Sequence, residues 1–231
     1  MTELKFEVDP AVYGLGVRGI YFAVYGIENS SSGDAFGRDF EDRSEQALAG
    51  LDKAAIKADP VLAGFRELHT RVGRSNRDYV SAPEALMVAA IRRGLPRINP
   101  VVDIYNLWSL ESRLALGAHD LARVAGSITL RMTDGDERYV PLGSDEPKPV
   151  FPGEYAYVDA SDEVLCRMEV KQVEKTKVTG QTRDCFFIVQ GHEQVPNEDL
   201  VRTAEGLIDE IVGRLGGRVD HLASVLSPSG S

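Results

Sequence analysis

The hydrophobic period of this chain changes near residue 117, and that change limits the fold more than any other feature. Before it, apolar residues recur at helical spacing. Pro60 opens a helix with Val61, Leu62, Phe65 and Leu68 on one face. Ser81-Ala82-Pro83-Glu84 has the form of a capping box and starts a helix that runs to Arg93 and stops at Gly94. Asn99-Pro100 joins an N-cap to a proline at the first helical position, opening a helix over about 100–114 with Val101, Ile104, Tyr105, Trp108 and Leu110. The charged, Ala/Leu-rich stretch 36–58 predicts one solvated helix. After Gly117 the texture turns to β. Strands are expected at 127–132 and 138–142 around an Asp134-Gly135 hairpin, and at 155–158, 164–168 and 185–190. Asn197 then caps a last helix with Leu200, Ala204, Leu207, Ile208, Ile211 and Leu215 in phase, ended by Gly216-Gly217. Near the start, 20–27 is a buried strand and 4–8 a weaker one. These patterns predict an α+β domain over residues 1–218. It has an antiparallel β-core, barrel- or sandwich-like, flanked by helices and finished by a C-terminal closing helix. Residues 219–231 are expected to be a flexible tail.

Several function classes drop out. A chain of 231 residues with 43% hydrophobic and 27% charged residues is expected to bury a core. No run of 18 apolar residues offers a membrane span, and the start of the chain lacks the basic-then-apolar build of a signal peptide. Cys166 and Cys185 form no CxxC pair, which fits a reducing, cytoplasmic setting. Gly14-Leu15-Gly16-Val17-Arg18-Gly19 matches GxGxxG. A dinucleotide site needs the strand before the glycines and the helix after, and here the strand follows. His192-Glu193 begins like HExxH, but Pro196 stands where the second histidine belongs. His69, His119, His192 and His221 have no metal-ligand spacing. No cofactor and no metal are expected. The sequon Asn29-Ser30-Ser31 has no meaning without secretion.

The informative segment spans residues 97–191. Asn99-Pro100-Val101-Val102-Asp103-Ile104, then Asn106, Leu110-Glu111 and Gly117-Ala118-His119-Asp120-Leu121 resemble the editing module in the β subunit of phenylalanyl-tRNA synthetase. The Leu142-Gly143 turn and the loop Val173-Glu174-Lys175-Thr176-Lys177-Val178, followed by Gln181-Thr182, continue the resemblance. The synthetase module hydrolyses tRNA that carries tyrosine in place of phenylalanine. No ATP-binding or amino-acid-activating motif is present. The resemblance therefore implies a freestanding relative that hydrolyses the ester of mischarged aminoacyl-tRNA in trans. A second sieve of this kind is needed wherever a pocket cannot exclude a smaller or isosteric competitor. Two alternatives stand beside it: a non-catalytic tRNA- or synthetase-binding module, and a hydrolase or binder of small aminoacyl compounds.

Carried over residue by residue, the resemblance makes Glu174 the carboxylate that recognises the wrong amino acid. The family's active-site histidine aligns with Gly117 and is absent. His119, two residues on, is the candidate replacement. Gly117 and Ala118 lack bulky side chains, so their backbone N–H groups are candidate contacts to the ester. Thr176 and Thr179 are candidate pocket hydroxyls, although capping a loop is the simpler role. Asp103 and Asn106 are expected to tie backbone groups, and Trp108 to sit in the core.

The implied partner is the aminoacylated 3′ end of tRNA, with no membrane or DNA partner. The net charge of −10 opposes a general nucleic-acid binder. Residues 66–97 differ, with seven arginines against three acids, which leaves −14 to the rest of the chain. Arg74, Arg77, Arg92, Arg93 and Arg97 are the candidate RNA contacts.

Overall fold

The computed structural model describes residues 4–29 and 34–228. Nine strands form two open sheets. They are β1 (Phe6–Val8), β2 (Val17–Tyr25), β3 (Ala115–Asp120), β4 (Ile128–Met132), β5 (Tyr155–Asp159), β6 (Val164–Arg167), β7 (Lys171–Gln172), β8 (Asp184–His192) and β9 (Arg218–Val225) among the described residues. One sheet runs β1-β4-β5-β6-β7 and the other β3-β8-β2-β9. Neither closes on itself, so the barrel option is excluded and the packing is sandwich-like. All pairings are antiparallel except β1 with β4.

Among the described residues the α-helices are α1 (Pro10–Leu15), α2 (Asp34–Leu48), α3 (Lys53–Ala58), α4 (Pro60–Arg71), α5 (Ala82–Arg93), α6 (Pro100–Ser112) and α7 (Asn197–Leu215). Alternation along the strands sorts the core. Ile20, Phe22 and Val24 of β2 and Cys185, Phe187 and Val189 of β8 pack with Val101, Ile104, Leu207 and Ile211 of the helices. Tyr21, Phe186 and Ile188 face the other way, onto Leu130, Tyr155 and Tyr157 of the second sheet. The four-stranded sheet is thus buried on both faces, which explains why 20–27 is apolar throughout rather than alternating.

Several sequence expectations are corrected. The 36–58 helix is two helices. Gly50 lies in the left-handed region (φ 71°), and Asp52 accepts from the Ala55 N–H to begin α3. The hairpin around Asp134-Gly135 does not form, because β4 pairs with β5. Residues 138–142 make only isolated bridges, Arg138 to Glu163 and Pro141 to Val173. The buried Glu137 carboxylate accepts from the Asp134 and Gly135 N–H groups and from Arg131, folding the turn back on itself. Ser81 makes no capping bond, and Glu84 pairs with Arg66 instead. Asn197 does not cap α7. Its side chain bonds both Ser227 backbone groups.

Residues 219–225 are not a tail. They form β9 on the edge of β2, so a strand follows α7 and is the last element among the described residues. Gly216 (φ 71°) and Gly217 (φ 106°) reverse the backbone there. A Cβ on Gly217 would lie 2.8 Å from Val24 and 2.9 Å from the Tyr25 carbonyl. Elements unforeseen from sequence, α1, β3 and the short β7, complete the frame. Ser30, Ser31, Ser32 and Gly33 of the sequon loop lie outside the described residues. Asn29 is buried, with its side chain bonded to Asn99, the Val101 N–H and the Thr179 carbonyl.

Trp108 is half-buried rather than core, and it seats α6 on α7. Its Nε1 donates to Glu210 at 2.8 Å, and its ring fills the space over Gly206. A Cβ at Gly206 would lie 2.2 Å from that ring. Alanine is the better helix former, yet Gly206→Ala is expected to destabilise the protein by about 1–3 kcal/mol through overpacking. Urea midpoints measure it, and an unchanged or raised midpoint would show that the ring moves aside freely.

Candidate functional site

A cavity of about 210 Å³ opens between β3, α6 and the second sheet. Strand alternation decides what β3 shows to it. Leu116 and Ala118 turn their side chains into the helix-side core, while Ala115 packs in the layer between the sheets. Gly117 and His119, in phase with Ala115, line the cavity. A Cβ on Gly117 would meet nothing within 4 Å, so this glycine leaves open room rather than making a turn. Of the sequence candidates, Gly117 and His119 share the cavity, and the Ala118 side chain faces away from it.

His119 is buried, and its Nδ1 lies 2.9 Å from Thr176 Oγ1. Burial pushes the imidazole down from 6.5 to about 3, so it is neutral at physiological pH. Such a ring is a hydrogen-bonding group, not a proton carrier. The loop bearing Thr176 is held in place by Asp120. Its N–H donates to the Thr176 carbonyl, and its carboxylate accepts from Thr182 Oγ1 at 2.8 Å. Thr179 closes a turn: its N–H donates to Thr182 Oγ1 and its Oγ1 accepts from the Gln181 N–H.

Glu174 does not line the cavity with His119. Its carboxylate pairs with Lys177 and accepts from the Gly143 N–H at 3.0 Å, which holds its pKa below the usual carboxylate range. It thereby secures the turn that carries Leu142, a cavity wall residue. Asp103 ties backbone as expected, accepting from the Ile98 N–H and from Arg97. Asn106 does not. It faces the cavity.

The floor holds groups that the sequence did not single out. The Glu169 carboxylate meets His69 Nε2 at 2.5 Å and accepts from the Tyr155 hydroxyl and Gln190 Nε2. Gln190 in turn accepts from the Tyr157 hydroxyl at 2.6 Å. His69 Nδ1 faces the Tyr79 carbonyl at 3.0 Å and must carry a proton to bond it. The short Nε2 contact to Glu169 then needs a second proton, held between the two groups. The Glu169 contacts raise the His69 pKa against the opposing effect of burial. The one clue in the sequence was a lone acid within Leu165-Cys166-Arg167-Met168-Glu169-Val170.

Residues 65–202 match the B3/4 domain. The chain belongs to the B3/4 domain family. It is 28% identical to the phenylalanine–tRNA ligase beta subunit of Archaeoglobus fulgidus over 132 residues, 49% of this chain and 23% of that protein. It is 39% identical to the Photorhabdus laumondii beta subunit over 66 residues, 29% of this chain and 8% of that protein. The matches to these curated relatives take in less than a quarter of their length. An N-terminal fragment of the phenylalanyl-tRNA synthetase beta subunit from Pyrococcus horikoshii superposes with a TM-score of 0.51 at 16% identity, over 94% of this chain and 50% of that one. This B3/4 protein is a relative of the beta-subunit module, as the 97–191 motifs implied.

The arginines of this B3/4 domain do not form one band. Arg66, Arg71 and Arg74 are paired with Glu84, Glu193 and Glu154, and Arg97 with Asp103. Arg74 also stacks on Phe151, and Arg97 on Phe40. Arg77, Arg92 and Arg93 are exposed and form no ion pair among the described residues. The basic window therefore reduces to three uncommitted charges.

His119 and His69 impose opposite pH dependences. His119 is held neutral, so its contribution to stability is full above 6.5 and falls away as pH drops toward 3. The His69 pKa is raised by Glu169 against the effect of burial, so its contribution is full below 6.5 and is lost as pH rises through the raised value. His119→Asn is therefore expected to destabilise less, relative to wild type, at pH 5 than at pH 7. Urea midpoints at the two pH values check this, and equal destabilisation would contradict a neutral buried ring.

Proposed function

We propose that this B3/4 protein hydrolyses, in trans, the ester of mischarged aminoacyl-tRNA, with the aminoacyl side chain in the cavity beside Gly117. The observation that carries the reading is the cavity itself. A strand with no side chain at Gly117 leaves room for a ligand, next to a neutral imidazole whose Nε2 has no partner among the described residues. Membership of the B3/4 family and the phenylalanine–tRNA ligase relatives support a tRNA-related substrate.

The chemistry asked of the site is modest. His119, held by Thr176, accepts a hydrogen bond from the attacking water and orients it, while Gly117 leaves space for the acyl group. Thr176 is a positioning residue here. Glu174 supports the cavity wall through Leu142. Arg77, Arg92 and Arg93 are the proposed phosphate contacts. Arg74 and Arg97 contribute less because carboxylates already hold them.

A panel of mischarged tRNAs tests the activity, and no ester loss above the uncatalysed rate on any of them would end it. Gly117→Val places its Cβ in open space and narrows the cavity, and is expected to lower kcat/KM about 10²-fold. Tight tRNA binding with every ester inert would favour the non-catalytic binding module instead. Neutralising Arg77, Arg92 and Arg93 together is expected to flatten the slope of log affinity against log salt by about 2–3. An unchanged slope removes them from the RNA contact.

A further inference from the structure

β3 is an edge strand, and the outer backbone groups of Leu116, which lines the cavity, and of Ala118, buried beside it, are unpartnered among the described residues. Two bonds fix which residues point outward. The Glu193 N–H donates to the Gly16 carbonyl, so residues 187, 189 and 191 of β8 share the phase that faces β2. Residues 186, 188 and 190 then face β3, and bond His119, Gly117 and Ala115. The Asp120 N–H independently gives the same phase, because it points off the sheet to the Thr176 carbonyl. Leu116 and Ala118 therefore direct their N–H and C=O groups away from β8. No partner bonds those groups among the described residues, although Ala118 is fully buried and Leu116 nearly so. Buried backbone groups are rarely left so. The Gly117 N–H, by contrast, is committed to the ladder. Of the two N–H groups expected at the ester, only that of Ala118 is free.

We infer that this edge binds the aminoacyl group as one residue of an added parallel strand, with the Leu116 carbonyl taking the α-ammonium and the Ala118 N–H taking the ester carbonyl. In a parallel ladder, one residue bonds the two neighbours that flank its opposite number. Here the opposite number is Gly117. The side chain of such a guest falls on the face of Gly117 and His119, which is the cavity face, and the open space at Gly117 admits it.

The ligand class is an α-amino ester with an unblocked amino group, whatever its side chain. In hydrolysis, water bonds to the carbonyl carbon and the displaced electron pair moves to the carbonyl oxygen, held by the Ala118 N–H. Collapse breaks the carbon–ribose oxygen bond. One water proton ends on the ribose hydroxyl, and the other is shed as the amino acid ionises.

This inference rests on the deacylase reading, and the test separates the two. The probes are adenosines carrying alanine or tyrosine on a hydrolysis-resistant 3′-amide, and their counterparts lacking the α-amino group. Binding is expected to shift the Ala118 amide resonance and slow its exchange, with at least tenfold weaker binding once the α-amino group is removed. Ala118→Pro deletes the donor at an edge position that tolerates proline. It is expected to weaken binding at least tenfold, and Ala118→Gly, which keeps the N–H, measures the effect of the methyl alone. If the proline variant does not fold, the amide resonance of the wild type still decides. An Ala118 amide unmoved by a bound probe, or equal binding without the α-amino group, overturns edge docking even if mischarged tRNA is deacylated. No probe binding overturns it too, and with every ester of the panel inert the deacylase reading falls as well.

Discussion

The register between β3 and β8 is the constraint on which the rest depends. β8 is buried along nearly its whole length, with one set of side chains in the helical core and the other in the core between the sheets. Both faces are filled by large residues, so a one-residue slip would exchange Phe186 and Ile188 with Phe187 and Val189. β3 inherits its phase from this strand. That phase puts Leu116 and Ala118 into the helix-side core, leaves Gly117 and His119 on the cavity, and turns alternate backbone groups off the sheet.

Around that register, polar groups are used to hold loops, not to react. Asn29 and Asn99 join the start of α6 to residues 178 and 179. Asp120 holds the same loop at Thr176 and Thr182, and Glu174 holds the Gly143 turn. The Glu169–His69 pair links α4 to the cavity floor. Its hydrogen bonds to Tyr155, Gln190 and the Tyr79 carbonyl fix its geometry. The result is a cavity with hydrogen-bonded walls and, among the described residues, two unmet features, the Nε2 of His119 and the outer edge of β3.

Much of the fold was legible in the sequence. Prolines and Asn99 marked α4 and α6, and β-branched and aromatic runs marked β2, β5 and β8, because these signals act over a few residues. The failures were non-local. Asp134-Gly135 signals a hairpin, yet Tyr155 to Asp159 outcompetes 138–142 for β4. The 219–231 segment has little local character, and it is ordered through Val225 because the edge of β2 offers it a ladder. β3 was hidden by the glycine at its centre, which reads as a turn and is a gap left for space.

The candidate site divides the same way. The run Asn99-Pro100-Val101-Val102-Asp103-Ile104 and the 170s loop were enough to place the chain among relatives of the phenylalanine–tRNA ligase beta subunit, and Gly117 and His119 were identifiable by alignment with that motif. Charge counting found the basic window. Sequence could not say that Glu174 lies outside the cavity, that Arg74 and Arg97 are already paired, or that Glu169 meets a histidine 100 residues away. Local order is written in neighbouring residues. Which side chains share a cavity, and which backbone groups are left without partners, follows only from the strand register and from contacts between residues far apart in the chain.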